Sequence, residues 1–385
     1  MMIIGICGKT NVGKSSFFKA ATLIDVEIAN RRFVTINPNV GIGYVITDCV
    51  CKEFGVKCNP KNSICKNGKR FIPIKLVDVA GLIPGAHAGK GLGNKFLDDL
   101  RQASAFIHIV DASGLTDAEG NPTQGYDPSF DVEFVKEEIE LWFADVIKRA
   151  LTKIGKAGSK AELVQMLAEQ LSGLEVNKKQ IEAVLEKVWI SDVDKFAREI
   201  RKISKPMLIA ANKIDLPEAQ KNFELLKEKF KDLIIIPTSA DYEIALRKAA
   251  EAGLIDYLPG DGFKVLDESK LSETQKKALE KIKALIEKYG STGVQDCLNK
   301  AVFDLLGYIV VYPVEDENKL CDKHGNVLPD ALLMPKGSTA LDLAFKIHTE
   351  IGEKFICAVD ARSKRRLGKD YILQNNDVIR IMVAK

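Results

Sequence analysis

The sequence has no uncharged apolar run approaching the ~20 residues that a membrane-spanning helix needs, which argues against a helical membrane protein. Its opening residues, Met1 to Gly8, show no cationic leader and no small-residue cleavage site, so the expected location is cytoplasmic. A large charge surplus is also missing. The 56 Lys and Arg against 53 Asp and Glu leave a formal +3, which says little about partners but leaves room for local basic patches. Eight cysteines in 385 residues are too sparse for a secreted disulfide scaffold. With 46% hydrophobic and 28% charged residues, wholesale disorder is excluded. The length predicts two or three folded units with cores that need no staples.

What is present starts at the N-terminus. Met2 to Cys7 is an apolar run of the kind that forms a buried parallel strand, and it leads into Gly8-Lys9-Thr10-Asn11-Val12-Gly13-Lys14-Ser15, then the helix-like segment from Ser16 to Leu23. Strand, glycine-rich loop and helix in that order make a phosphate cradle. Glycines let successive N–H groups point inward, and the helix N-terminus adds partial positive charge. Gly8, Asn11, Val12, Gly13 and Ser16 are the expected phosphate-binding backbone, Lys14 the residue that reaches the β- and γ-phosphates, and Ser15 a Mg²⁺ ligand.

The base is read elsewhere. Asn212-Lys213-Ile214-Asp215 follows the buried run Met207 to Ala211 and precedes a helix that Pro217 can start. A carboxylate at Asp215 can accept from guanine N1–H and the N2 amine, a donor pair that adenine lacks. Asn212 can brace the loop, and the Lys213 stem can cover the ring. Ser239 and Ala240, after the apolar run Leu233 to Pro237, offer backbone N–H groups for guanine O6. Between the two motifs, Asp78-Val79-Ala80-Gly81 ends the stretch Ile72 to Val79, where Asp78 can hold Mg²⁺ through water and Gly81 can donate to the γ-phosphate. Thr35, in the polar connection Arg32 to Asn39, is the expected second Mg²⁺ ligand. Departure of the γ-phosphate would release both segments, a switch by order and disorder.

These four elements, with Leu82 to Gly93 after the Asp78 turn, resemble the Obg/YchF group of translation-factor GTPases. The resemblance implies a P-loop α/β domain that hydrolyses GTP to GDP and phosphate, with the ribosome or ribosomal RNA as partner. The group carries a hydrophobic residue where signalling GTPases have a water-orienting Gln, and here that residue is Leu82. The resemblance also implies that Asn11 helps hold an activating K⁺. The YchF branch generally reads adenine with a base motif lacking the final Asp, whereas this chain keeps Asp215. His87 in the glycine-rich loop is read as a solvated residue.

Asp111-Ala112-Ser113 closes another core strand, Ala105 to Val110, about a hundred residues before the base motif. The intervening 121–202 is charged and apolar at helical spacing (Val135, Ile139, Trp142, Val146, then Leu163, Leu167, Leu171, Ile181, Val184, Val188), which predicts an inserted helical hairpin with Trp142 in its core. Residues 1–120 and 203–260 are then the nucleotide domain and 261–305 a helical connector. Cys49, Cys51, Cys58 and Cys65 lie in a turn-rich excursion between Thr35 and Asp78. Four thiolates there can form a tetrahedral Zn²⁺ site, but the spacing lacks paired C-x2-C knuckles. Zinc, disulfides and unpaired thiols all stay open, and the Lys-, Glu- and Ile-rich composition is of the thermophile, archaeal kind in which intracellular disulfides occur.

Residues 306–385 change to short strand-like runs (Tyr308 to Tyr312, Ala331 to Met334, Phe355 to Val359, Val378 to Val383) around one helix, Thr339 to Ile351. With Leu333 to Ala344, this segment resembles a TGS domain, which implies an α+β β-grasp fold. Arg362, Lys364, Arg365, Arg366 and Lys369 crowd one loop, fitting either phosphate-backbone contact with RNA or a solvated basic turn. The reading is a GTPase switch. An ATPase of the YchF type and a nucleotide-stabilised RNA-binding assembly protein without turnover are its rivals.

Overall fold

The computed structural model describes residues 1–22, 40–79, 101–154 and 158–384. The chain divides into two compact units, Met1–Gly43 with Lys75–Ala301, and Tyr44–Ile74 with Val302–Lys385.

A seven-stranded, mostly parallel sheet has the strands β1 (Ile3–Cys7), β2 (Val40–Asp48), β3 (Ile64–Lys66), β4 (Lys69–Asp78), β5 (Ala105–Asp111), β6 (Met207–Asn212) and β7 (Ile235–Pro237), of which β1, β5, β6 and β7 belong wholly to the first unit and β3 to the second. Their order is β2-β4-β1-β5-β6-β7, with β3 paired antiparallel to β4. The boundaries between the units fall within β2, after Gly43, and within β4, after Ile74. β5 and β6 are buried at every residue, which is why they read as unbroken apolar runs. Register aligns the functional strand ends: Ile6 is opposite Asp78, Cys7 opposite His108, and Asp111 opposite Asn212. The carboxyl edge of the sheet therefore collects the chemistry-bearing loops.

Helix α1 (Lys14–Thr22) follows β1 directly. Among its described residues the inserted segment forms four α-helices: α2 (Ser129–Ile154), α3 (Lys160–Gln170), α4 (Lys178–Leu185) and α5 (Val193–Ser204). This differs from the two-helix hairpin read from periodicity. Each break coincides with a side-chain cap: Ser159 accepts from the Glu162 N–H, Asn177 forms a reciprocal box with Gln180, and Asp192 accepts from the Lys195 N–H. Trp142, Ile139, Leu167, Ile181 and Phe196 share one core with the sheet residues Phe106 and Ile209. Then come α6 (Pro217–Lys229), α7 (Ala240–Glu251), the hairpin β8 (Ile255–Tyr257) and β9 (Phe263–Val265), α8 (Glu273–Tyr289) and α9 (Val294–Lys300). A separate small core of Leu246, Ile255, Tyr257, Leu279 and Ile282 joins the hairpin to α7 and α8.

The second unit holds a five-stranded sheet ordered β11-β10-β14-β12-β13. Its strands are β10 (Tyr308–Val314), β11 (Leu332–Pro335), β12 (Phe355–Asp360), β13 (Arg366–Leu367) and β14 (Asp377–Val383), and only β10 with β14 runs parallel. Helix α10 (Ala340–Ile347) packs on it through Ala340 and Leu343, against Val311, Met334 and Ile379. Thr339 and Asp342 form its capping box. The single helix expected from Thr339 to Ile351 is divided at His348, whose extended backbone (φ −165°, ψ 143°) starts the short α11 (Thr349–Glu353).

Residues 44–74, assigned from sequence to the nucleotide domain, group with this unit. The Asn59 and Lys61 N–H groups donate to the Val327 and Pro329 carbonyls at 3.1 and 2.7 Å, and the Val327 N–H returns to Asn59 Oδ1 at 2.6 Å. Lys61 also pairs with Asp322. Such pairing satisfies backbone groups that a turn-rich loop would otherwise leave bare.

Candidate functional site

The loop after β1 has the conformation its glycines predict. Gly8 (φ 153°) and Gly13 (φ 90°) lie in regions that disfavour side chains, and a Cβ would stand 2.6 Å from the Ile109 carbonyl oxygen at Gly8 and 2.2 Å from Asn212 Nδ2 at Gly13. Asn11 is also left-handed, at φ 63°. Alternating senses of this kind turn N–H groups toward one concavity, with the N-terminus of α1 at its end. Val12 is wholly buried beneath the loop, whereas Ser15 is exposed and Ser16 half-buried. Lys14 Nζ donates to the Val79 carbonyl at 2.7 Å and lies 3.2 Å from Asp78 Oδ1. Thus Lys14 at the start of α1 and Asp78 at the end of β4, separated by 64 positions in sequence, meet.

The base-side motif is tied to this loop by two links. Asn212 Nδ2 donates to the Val12 carbonyl at 2.8 Å, while its Oδ1 accepts from the Ala240 N–H at 3.1 Å. Lys213, left-handed at φ 62°, donates to the Asn11 carbonyl at 3.0 Å and to Asp111 Oδ2 at 2.7 Å. Asp215 Oδ1 accepts from Ser239 Oγ at 2.7 Å, which orients the carboxylate. Ser239 is held in turn, since its N–H donates to the Thr292 carbonyl at 2.8 Å. Gly8, Asn11, Val12, Gly13, Lys14, Ser15, Ser16, Asn212, Lys213, Asp215, Ser239, Ala240 and Asp78 therefore lie along one edge of one sheet. Thr35 and Gly81 fall outside the described residues, as do Leu82 and His87.

Several contacts of the phosphate loop, with residues that carry no motif, escaped the sequence reading. Lys9 is buried and makes an ion pair with Asp131 at 2.8 Å, and it donates to the Thr116 carbonyl at 3.0 Å. Burial raises the Asp131 pKa while Lys9 opposes that rise. Thr10 Oγ1 donates to the Glu119 carbonyl at 2.8 Å, and Asn11 Nδ2, expected near K⁺, donates to the Gly120 carbonyl at 2.9 Å. The segment from Thr116 to Asp131, which leads into the insertion, thus packs on the phosphate loop. His108 is fully buried in β5 beside this network, and desolvation, with Lys9 adding to it, lowers its pKa to about 3.

In the second unit, the Sγ atoms of Cys49, Cys51, Cys58 and Cys65 all lie within 4.8 Å of one another. The basic loop is less uniform than its composition suggests. Arg362 is held by Glu53 through bonds of 2.6 and 2.7 Å, and Lys364 Nζ donates to the Glu317 carbonyl at 2.6 Å. Arg365, Arg366 and Lys369 are exposed. Among the described residues, no helix is long and apolar enough to cross a membrane.

Three family profiles match. One described as "50S ribosome-binding GTPase" covers residues 3–140, one described as "Obg-like GTPase YGR210-like, G4 motif-containing domain" covers 210–316, and "TGS domain" covers 324–383. A GTP-binding protein of Methanocaldococcus jannaschii is 55% identical over the full length of both chains. A ribosome-binding ATPase, YchF of Bacillus subtilis, is 28% identical over 97% of each. Among solved structures, a GTP-binding protein from Pyrococcus horikoshii matches over 100% of both chains with TM-score 0.77 and 42% identity. The YchF GTPase of Schizosaccharomyces pombe shares the fold at 20% identity, with TM-score 0.60 over 99% of this chain and 97% of that one.

Proposed function

Because the chain belongs to the Obg-like, YchF-type GTPases with a C-terminal TGS domain, we propose that it binds GTP in preference to ATP, hydrolyses it slowly to GDP and phosphate, and uses the change as a switch on the ribosome or ribosomal RNA. One observation carries the choice of base: Asp215 is present and its carboxylate is oriented by Ser239 Oγ at 2.7 Å. A carboxylate offers only acceptors, which suit the adjacent N1–H and N2 amine of guanine and find no such pair on adenine. The second reading, an ATPase, rests on the name of the Bacillus subtilis relative, and Asp215 argues against it.

The phosphate half follows from charge and position. Lys14 stands where it can neutralise the β- and γ-phosphates, and the loop N–H groups bind non-bridging oxygens, so hydrolysis is a matter of positioning without a protein nucleophile. Gly81 supplies an N–H to the γ-phosphate. Ser15, Thr35 and Asp78 are the residues that would hold Mg²⁺. Their hard oxygens fit that ion, and Asp78 Oδ1 is buried with the Lys14 ammonium 3.2 Å away as its ion-pair partner. When bound, the metal would neutralise charge developing between the phosphates. Asn11 is the candidate K⁺ ligand. Ribosome association rests on the relatives' names and on the exposed cations Arg365, Arg366 and Lys369, with Lys364 and Arg362 beside them.

The test is phosphate release from GTP and from ATP by the full chain, with and without ribosomes. GTP turnover that disappears in Lys14→Ala supports the proposal. ATP turnover at an equal or higher rate contradicts it.

A further inference from the structure

We propose that Cys49, Cys51, Cys58 and Cys65 are the four ligands of one structural zinc ion, which fastens the 44–74 excursion within the second unit. Three thiol states were open from spacing, and geometry separates them. Cys49 and Cys58 approach to 3.9 Å between sulfurs, Cys51 and Cys65 to 3.8 Å, and no pair among the four is farther than 4.8 Å apart. A disulfide holds its sulfurs at about 2.05 Å. A tetrahedron with Zn–S bonds of about 2.3 Å has edges of about 3.8 Å. Two opposite edges already have that length, and the remaining ones need to shorten by an ångström or less.

Charge gives an independent argument. Arg70, on β4, is fully buried. Its terminal nitrogens reach Ser63 Oγ at 2.9 Å and the Leu328 carbonyl at 3.2 Å, all neutral acceptors, and its guanidinium lies 5.2 Å from the Tyr312 ring centre. Among the described residues it makes no ion pair with a carboxylate, and its Nε has no hydrogen-bond partner. The sulfurs of Cys49 and Cys58 are the groups whose negative charge would favour the charged guanidinium most. A buried guanidinium needs an anion. Two disulfides, or four neutral thiols, would supply none, whereas four thiolates around a divalent ion carry a net double negative charge. An arginine that serves the ligand sulfurs is the outer-shell partner such a site needs.

The local chain is shaped to present the sulfurs. The Cys49 N–H donates to the Gly68 carbonyl at 2.8 Å, and the Val56 N–H to the Cys51 carbonyl at 3.0 Å. Cys65 sits on β3, whose turn into β4 uses Asn67 and Gly68, both left-handed (φ 52° and 71°). β3 has only three residues, so a metal crosslink would stabilise a piece with little core of its own. It would also fix Glu53, the partner of Arg362 in the basic loop.

The test uses the full chain, purified reduced. Elemental analysis should find one equivalent of zinc. After removal of metal by chelation under reducing conditions, Co²⁺ should bind with thiolate-to-metal charge-transfer absorption and the intense visible bands of a tetrahedral tetrathiolate, and Zn²⁺ should bleach them. Cys58→Ser should lose or shift the bands, Cys357→Ser should keep them, and Arg70→Met should weaken Co²⁺ affinity about 10- to 100-fold. Stoichiometric iron in place of zinc, absence of both zinc and Co²⁺ bands in the reduced wild-type chain, or disulfides found by mass spectrometry in protein kept from air would overturn the proposal. The wild-type spectrum decides the matter even if Cys58→Ser fails to fold.

Discussion

At Asp215 the account reduces to one side chain and its partner. Replacing the carboxylate with an amide in Asp215→Asn exchanges one acceptor for a donor facing the guanine N–H groups, and hydrogen bonds to a charged group contribute about 2–3 kcal/mol here. The preference for GTP over ATP should therefore fall about 30- to 150-fold in competitive binding, with phosphate-side affinity retained. An unchanged preference would remove Asp215 from base recognition. His108 makes a different prediction. Its folded pKa of about 3 lies below the ordinary ~6.5, so the unfolded chain takes up the extra proton as pH falls through ~6.5. Stability is full above that value and declines toward about pH 3, at up to about 1.4 kcal/mol per pH unit. Chemical unfolding across this window should show a shallower acid loss in His108→Leu than in the wild type. Identical slopes would mean that the imidazole is accessible and titrates normally.

At the scale of elements, cores and turns respond differently. Trp142 is 1% exposed in the core shared by the inserted helices and the sheet. Trp142→Ala should lower the stability of the first unit by about 3–5 kcal/mol, measured by denaturant unfolding. Gly68, at φ 71°, should tolerate Val poorly, at about 1–2 kcal/mol, and Gly68→Val should also weaken Co²⁺ binding through the displaced Cys65. A variant with unchanged stability and metal affinity would contradict the strained-turn assignment. The elements legible from sequence were those with local signals: β1 before its glycines, β6 before Asn212, and α10 behind Thr339. The four-helix insertion was locally written too, in the caps Ser159, Asn177 and Asp192, but apolar spacing outweighed them and two helices were expected. β13 escaped notice because Arg366 and Leu367 carry no periodicity and gain their strand character only from pairing with Ala358 and Val359.

At the scale of the whole chain, what could not be read was pairing over long separations. Asn59 and Val327 lie 268 positions apart, and Lys9 and Asp131 122 apart, and nothing in either sequence neighbourhood names the other partner. The same distance hid the neutralisation of Arg362 by Glu53, so a loop that reads as five equal cations is not one. If RNA binding uses this loop, Arg366→Ala and Lys369→Ala should each reduce the salt dependence of binding by about one phosphate contact, and Arg362→Ala by less. Equal effects from all three would argue for a diffuse field instead of specific contacts. The most direct test of the central claim is a side-by-side titration of the full chain with non-hydrolysable GTP and ATP analogues in the presence of Mg²⁺. Tight binding of the guanine analogue, with the adenine analogue at least tenfold weaker, is the predicted result, and equal or tighter binding of the adenine analogue would contradict the account.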